Sequence, residues 1–309
     1  MTVLVTGATG LIGSALVRAL SARGDRVLAA VRNVEKARRL FASLPAVAFV
    51  EWDVTRPAPS IGAVDFIVHA AAETASRNMV ERPVETVGVM LDGTRHALEL
   101  ARARRVRGMV YLSSMEVYGS PMDDVVIDEN FMGPLDILAP RSSYPLSKRM
   151  SEALCAAYAR EYAVPVRMAR LAQVIGDRLS PDDHRVMAQF ARAVQSGDNI
   201  VLHTDGSSAR CYCHISDAVS AILLLLERGG TGEAYNVANP SSYCSIRELA
   251  ESLCAAHPPS RVVVERAEGM GYAPACRLRL SAAKLEALGW RARVGLSEAL
   301  ERLVAAQEA

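Results

Sequence analysis

The chain has 309 residues, half of them hydrophobic, and a net charge of +1 at neutral pH. That length can bury a sizeable core in one large domain or two, and the near-neutral balance offers no basic footprint for nucleic acid. No run approaches the roughly 18 apolar residues of a membrane helix, and an apolar strand begins at Thr2, which leaves no room for a signal peptide and gives a cytoplasmic location by default.

Thr2 to Val5 is a short β-rich run and Leu11 to Leu20 is apolar at helical spacing, so Gly7, Gly10 and Gly13 of T-G-A-T-G-L-I-G fall on a strand-to-helix turn. There Gly7 permits the tight turn, Gly10 lets backbone amides approach a dinucleotide pyrophosphate, and Gly13 lets the helix pack on the strand. The helix N-terminus adds free N–H groups and a positive dipole end. Thr9, Leu11 and Ile12 join the same cofactor turn. Read alone, such a turn also fits an ordinary structural role.

Further strands at Val27–Val31, Ala48–Glu51, Phe66–His69, Met109–Ser113 and Val166–Leu171 alternate with helices near Leu11–Ala22, Pro83–Ala103 and Tyr144–Tyr162. This alternation predicts an α/β fold, a Rossmann-type doubly wound parallel sheet with right-handed crossovers. The second strand ends in Ala29-Ala30-Val31-Arg32-Asn33, with no acid to accept ribose hydroxyls. Arg32 suits a 2′-phosphate or stacks on adenine, which favours NADP over NAD.

Tyr144 and Lys148, in S-Y-P-L-S-K, lie one helical turn apart on the same face. A secondary alcohol gives a hydride to nicotinamide only when a base removes its hydroxyl proton, and a phenol of pKa about 10 is protonated at neutral pH. The Lys148 ammonium, together with the charge of an oxidised nicotinamide, favours the tyrosinate. Tyr144 is therefore the expected general base, and the pairing with the glycine turn indicates a redox enzyme.

Beyond residue 171 the regularity fades. Loops rich in Gly, Pro, Ser and Asp alternate with helices near Val186–Ser196, Asp217–Glu227, Ser245–Ala255 and Leu296–Ala306, which predicts a smaller α/β C-terminal region. Residues 1–170 form the expected dinucleotide-binding domain, with 214–238 returning to it; 171–213 and 239–309 form the expected second region. The six cysteines show neither a C-x-x-C pair nor zinc-like spacing with histidine. Cys211 and Cys213 alternate along one strand and share a face, so reduced, mostly buried thiols are expected, and no metal.

The ordered motifs resemble the extended short-chain dehydrogenase/reductases that modify nucleotide sugars, the NAD(P)-dependent nucleotide-sugar epimerase/dehydratase family. The resemblance runs through T-G-A-T-G-L-I-G, Asp53-Val54, His69-Ala70-Ala71-Ala72-Glu73, Gly93-Thr94, L-S-S-M-E-V-Y-G and Tyr144-x-x-x-Lys148. It continues through Arg210 before Tyr212-x-His214, Tyr235-Asn236-Val237 and Leu288-Gly289-Trp290.

The resemblance implies that Lys148 also holds the nicotinamide ribose, that Ser114 hydrogen-bonds the reacting oxygen, and that Ser113 supports the cofactor or the strand end. It implies that Asp53, with Val54, reads the adenine amino group, while Ala70, Ala71 and Ala72 pass under the pyrophosphate and ribose. Glu116 matches a glutamate that supports chemistry beyond C4 in relatives that dehydrate or decarboxylate. Met115 stands where hexose 4,6-dehydratases carry an aspartic acid that protonates the departing hydroxyl, which methionine cannot do. Met90 replaces an asparagine common near the catalytic helix.

The resemblance makes 171–213 and 239–309 the C-terminal substrate-binding region, with contacts implied for Gln173, in place of a phosphate-binding asparagine, and for Arg210 on the diphosphate. Val201 and His203 flank the nucleobase in this reading, Thr74 lies along the substrate, and Arg277 or Arg279 makes a second phosphate contact. A homodimer through the 83–103 and 144–162 helices is implied, with a nucleotide-diphosphate sugar as the small-molecule partner. The leading expectation is an epimerase acting through a transient keto sugar at C4. The alternatives are an NADPH-dependent ketosugar reductase, favoured by Arg32, and a 4,6-dehydratase or decarboxylase, favoured by Glu116. A non-catalytic dinucleotide-binding regulator would normally lack the tyrosine or the lysine.

Overall fold

The computed structural model describes residues 1–178, 183, 185–267 and 275–306. Its strands are β1 (Thr2–Thr6), β2 (Arg26–Val31), β3 (Val47–Glu51), β4 (Phe66–His69), β5 (Gly108–Ser114), β6 (Val126–Ile127) and β7 (Val166–Leu171). They continue as β8 (Gln173–Ile175), β9 (Ile200–Leu202), β10 (Ala209–His214), β11 (Ala234–Val237), β12 (Asn239–Ser245), β13 (Val262–Val264) and β14 (Arg277–Leu280). The helices are α1 (Leu11–Ala22), α2 (Val34–Leu40), α3 (Ser76–Glu81), α4 (Pro83–Arg104), α5 (Ser143–Tyr162), α6 (Val186–Gln195), α7 (Ile215–Arg228), α8 (Ile246–Ala256), α9 (Ala283–Glu286) and α10 (Leu296–Ala305). Among the described residues, no helix is long and apolar enough to cross a membrane.

The main sheet is parallel throughout, in the order β3-β2-β1-β4-β5-β7-β11. Its strands read as near-continuous apolar runs because helices cover both faces. Val3, Val5, Val27, Val68 and Val110 point to the α1 and α7 side, where they pack with Leu16, Leu20, Ala218 and Ile222. The alternate residues Leu4, Leu28, Ile67, Met109 and Tyr111 point to the α4 and α5 side, against Ala97, Leu98, Cys155 and Tyr158. The strand order reverses between β1 and β4, and a doubly wound sheet presents its ligand crevice at such a switch point.

A second sheet runs β12-β10-β14-β6, with β8 also paired to β10. Its strand β6 comes from the β5–α5 connection and pairs with β14, so the expected 1–170 unit is not closed in itself. A separate core of α6, α8 and α10 contains Phe190, Leu249, Leu253 and Leu300. Cys211 and Cys213 are free, buried, and part of the same core cluster.

Helix α5, which carries Tyr144 and Lys148, is fixed from two sides. Arg170 on β7 donates from Nε and Nη2 to Glu152, and from Nη1 to the Tyr118 hydroxyl and the Glu129 carbonyl. Arg149 donates to the carbonyls of Val117 and Gly133. Breaking a buried pair of this kind leaves an uncompensated charge, which makes the helix position stiff.

Candidate active site

The glycine turn sits at the switch point. Thr6 pairs with His69 at the ends of β1 and β4, and Gly7 follows at φ +63 with no room for a side chain. A Cβ there would lie 2.7 Å from the Ala71 nitrogen and 2.8 Å from the Ala70 oxygen. Gly13 is tighter, since its Cβ would come within 2.1 Å of the Gly7 oxygen. Helix α1 starts at Gly10 with no side-chain cap and no acidic residue in its first turn. Its leading N–H groups therefore remain available to an anion.

The neighbouring polar atoms also fit a dinucleotide. Ser113 Oγ and His69 Nε2 are buried without a hydrogen-bond partner among the described residues. His69 is held through Nδ1 and Thr6 Oγ1 at 2.8 Å, and burial, with the Lys148 charge, pushes its pKa down to about 3. Asp53 accepts from the Thr55 N–H and hydroxyl at 3.0 and 2.9 Å. The Thr55 N–H is the main reason its carboxyl is held below the usual range, with Arg32 and Arg56 adding to it. Arg32 is exposed, whereas Asn33 beside it accepts from the Lys36 N–H and caps α2. Val54 packs over Gly93.

Ser114 ends β5, and its hydroxyl accepts from the Glu116 N–H at 3.2 Å to cap the short turn Met115–Tyr118. Tyr144 is buried beside it, among Met79, Met90 and Ala72. Burial, and after it the charge of Glu116, raises the phenol well above its ordinary pKa; a hydrogen bond with Ser114 and the Arg141 charge act the other way. Lys148 is 3% exposed, and its Nζ donates to the Leu112 carbonyl at 2.6 Å. Burial pushes its pKa down to about 7, against the pull of the Glu152 carboxylate.

Lys148 Nζ lies 5.7 Å from the Tyr144 ring centroid and is anchored on the Leu112 carbonyl, and the charges of Glu116 and Arg141 also act on the phenol. Arg141 is the residue that sequence reasoning missed. Its Nη2 donates to Glu116 Oε1 at 2.9 Å, and its guanidinium lies 5.9 Å from the Tyr144 ring centroid. The signal was available as a cation three residues before Tyr144, on the approach to the same helix.

Met90 and Met115 have separate physical roles. Met90 forms an apolar wall against Tyr144, and its carbonyl accepts from Thr94 Oγ1 at 2.7 Å and Ser151 Oγ at 3.3 Å. Met115 is turned into the main core with Val117 and Tyr118.

The residues expected to meet substrate fall into two groups. Arg210 on β10 keeps its Nε buried with no partner among the described residues, which suits an incoming phosphate. Buried Cys276 feels the charges of Arg210, Glu116 and Arg141 together, which brings that guanidinium into the neighbourhood of Tyr144. Gln173 begins β8 and pairs with Tyr212. Arg277 aligns with Ala209 and Leu278 with Arg210, so the register places Arg277 on the sheet face opposite Arg210. Arg279 is paired with Asp124 at 2.9 Å and covers the Tyr243 ring. Val201 and His203 belong to the separate β9–β13 ribbon, where His203 Nδ1 meets the Glu265 carbonyl at 3.1 Å. Thr74 is exposed after β4.

Comparison with known proteins agrees with this geometry. UDP-glucuronic acid decarboxylase 3 of Arabidopsis thaliana is 30% identical over 305 residues, which cover 97% of this chain and 87% of that protein. UDP-N-acetyl-alpha-D-glucosaminuronate decarboxylase of Bacillus cytotoxicus is 28% identical over 270 residues, covering 84% of this chain and 82% of that one. Among solved structures, UDP-glucose 4-epimerase of Thermus thermophilus in complex with NAD superposes with a TM-score of 0.82 at 27% identity, covering 99% of this chain and 98% of that chain. The sequence profile described as the NAD dependent epimerase/dehydratase family matches residues 3–238, a span running from β1 to just past β11. A match that takes in the main sheet and helix α5 leaves one conclusion: the chain belongs to the NAD-dependent epimerase/dehydratase family.

Proposed function

We propose that the protein is an NAD(P)-dependent enzyme that oxidises C4 of a nucleotide-diphosphate uronic acid and releases its C5 carboxyl group as carbon dioxide. The observation that carries this reading is the Glu116–Arg141 pair set against the Tyr144 ring. It is supported by the two uronic-acid decarboxylases, which align over most of the chain.

Bound NAD(P) supplies an acceptor for the C4 hydride and returns it at the end of the cycle. Tyr144, as the phenolate, takes the C4 hydroxyl proton, and Ser114 donates a hydrogen bond to the same oxygen. The resulting ketone lies β to the carboxylate, so the C5–C6 bond breaks with its electron pair drawn into the carbonyl. The enolate oxygen then rests on the Tyr144 and Ser114 hydroxyls. Glu116 is the ionisable group placed beside Tyr144 to move the proton that C5 must regain. Arg210 holds the diphosphate and so fixes the sugar for these steps.

Epimerisation at C4 is the second reading, supported by the Thermus neighbour. It shares the first oxidation and differs in that the keto sugar turns its other face before reduction. Incubation of the purified protein with UDP-glucuronic acid, UDP-glucose and dTDP-glucose, followed by mass spectrometry and nicotinamide absorbance, separates the two. Loss of carbon dioxide with no net nicotinamide change is expected. An unchanged mass with altered stereochemistry would replace decarboxylation by epimerisation, loss of water would indicate a dehydratase, and stoichiometric NADPH consumption a reductase.

Cofactor preference is tested separately. Arg32 is exposed at the end of β2 within the field of Asp53, where it favours a 2′-phosphate. Arg32→Glu is expected to weaken NADP by roughly 10- to 100-fold more than NAD in a fluorescence titration. Equal weakening of both would remove the reason for preferring NADP.

A further inference from the structure

We propose that Arg141 selects the substrate by charge, holding the C5 carboxylate of a nucleotide-diphosphate uronic acid where the Glu116 carboxylate now rests. The inference rests on the reading above and names the residue that distinguishes a uronic acid from a neutral hexose.

The guanidinium is underused as it stands. Among the described residues, Nη2 alone has a partner, the single 2.9 Å contact to Glu116 Oε1, although a guanidinium can serve a carboxylate with two parallel N–H groups. The Arg141 side chain is 16% exposed and that of Glu116 is 30% exposed. The carboxylate can therefore swing out to water more readily than the cation can, and an incoming carboxylate finds a poorly hydrated, partly paired fork.

Position supplies the second support. Arg141 lies against the Tyr144 ring, and the phenol must meet the C4 hydroxyl. The uronic carboxylate hangs from C5, the adjacent ring carbon, so a group held at Tyr144 carries its carboxylate to within a few bonds of Arg141. The other end of the site has the matching charge: Arg210 keeps a buried Nε without a partner among the described residues, and Cys276 lies in the field of both guanidiniums. A nucleotide-diphosphate uronic acid has two anionic groups, on either side of one sugar ring, and this site offers two guanidiniums. A neutral hexose leaves Arg141 with nothing but Glu116.

Recognition of this kind acts on the ground state. A guanidinium on the carboxylate stabilises charge that departs with carbon dioxide, so it contributes to binding more than to the chemical step. Arg141→Met is accordingly expected to raise KM for UDP-glucuronic acid by roughly 10- to 100-fold, to change kcat much less, and to leave the dissociation constant of UDP-glucose almost unchanged. Arg141→Lys should recover part of the loss. Glu116→Gln, which removes the competing carboxylate, should bind UDP-glucuronic acid at least as tightly as wild type even while turning it over more slowly.

The test is an equilibrium titration of wild type and these variants with both sugars, alongside KM and kcat for UDP-glucuronic acid, with a thermal melt confirming that each variant is folded. Selective loss of the uronic acid in Arg141→Met, with tight binding retained in Glu116→Gln, supports the inference. Equal weakening of both sugars in Arg141→Met would overturn it, leaving Arg141 as a holder of Glu116 while the decarboxylase reading stands. Weaker binding of UDP-glucuronic acid by Glu116→Gln would also overturn it. A wild-type protein that binds UDP-glucose as well as UDP-glucuronic acid and releases no carbon dioxide would overturn both.

Discussion

Turnover by a Tyr144→Phe variant is expected to fall by roughly 100- to 10,000-fold, the scale of a lost general base, with cofactor affinity nearly unchanged. The substitution removes one oxygen and keeps the ring that packs against Met79 and Met90, and the glycine turn lies on another element. A single-turnover assay with a nicotinamide readout, set beside a cofactor titration, checks both halves; an active variant would remove Tyr144 from its role. The pH dependence has a definite sign. The Glu116 charge raises the phenol, so Glu116→Gln lowers the pKa of Tyr144 and moves the rising limb of the activity profile to lower pH. A limb that stays in place or moves upward would contradict the electrostatic assignment.

Gly13→Ala should be severely damaging for so small a substitution. Its new Cβ would fall 2.1 Å from the Gly7 oxygen, 2.9 Å from the Gly7 carbonyl carbon and 3.0 Å from the Ala8 Cα, all backbone atoms that cannot rotate away. Opening the turn to admit it costs about 1–3 kcal/mol or more in overpacking and displaces the N–H groups at the start of α1 that are proposed to meet the pyrophosphate. Both the melting temperature and the cofactor affinity should drop. Gly10→Ala meets only the Gly7 oxygen, at 3.3 Å, so it should preserve the melt while weakening the cofactor. Gly62→Ala, with nothing within 4 Å, serves as the neutral control, within about 0.5 kcal/mol. Unchanged melting and binding in Gly13→Ala would mean that the turn does not depend on its glycines.

The main sheet was legible because its chemistry is simple. Strands covered on both faces are short apolar runs, and Val3–Val5 or Phe66–His69 can be read as such without knowing their neighbours. The second sheet was not. Strand β12 reads Asn-Pro-Ser-Ser-Tyr-Cys-Ser, with no apolar period, and is held by pairing to β10 and by the Ser242 hydroxyl, which accepts from the Tyr212 N–H. Strand β6 has two residues and exists through its pairing with β14.

The site divides in the same way. Residues whose proposed roles rest on local geometry, such as Gly7 on its turn or Tyr144 and Lys148 on one helix face, could be placed from spacing. Partners that depend on how a loop travels could not. Arg141 meets Glu116 across 25 positions, and Lys148 turns to Leu112 across 36. That second contact fixes where the ammonium sits, which spacing on the helix does not give.

The cap formed by Asn33 has an engineering consequence. Because its side chain is committed to the first turn of α2, the two polar positions after β2 divide their duties: one secures a helix, the other faces outward. Exchange at position 33 would forfeit a cap worth about 1 kcal/mol, while exchange at position 32 leaves the scaffold untouched. The proposed part of Arg32 in nicotinamide preference can therefore be tested through a single codon without a compensating mutation elsewhere.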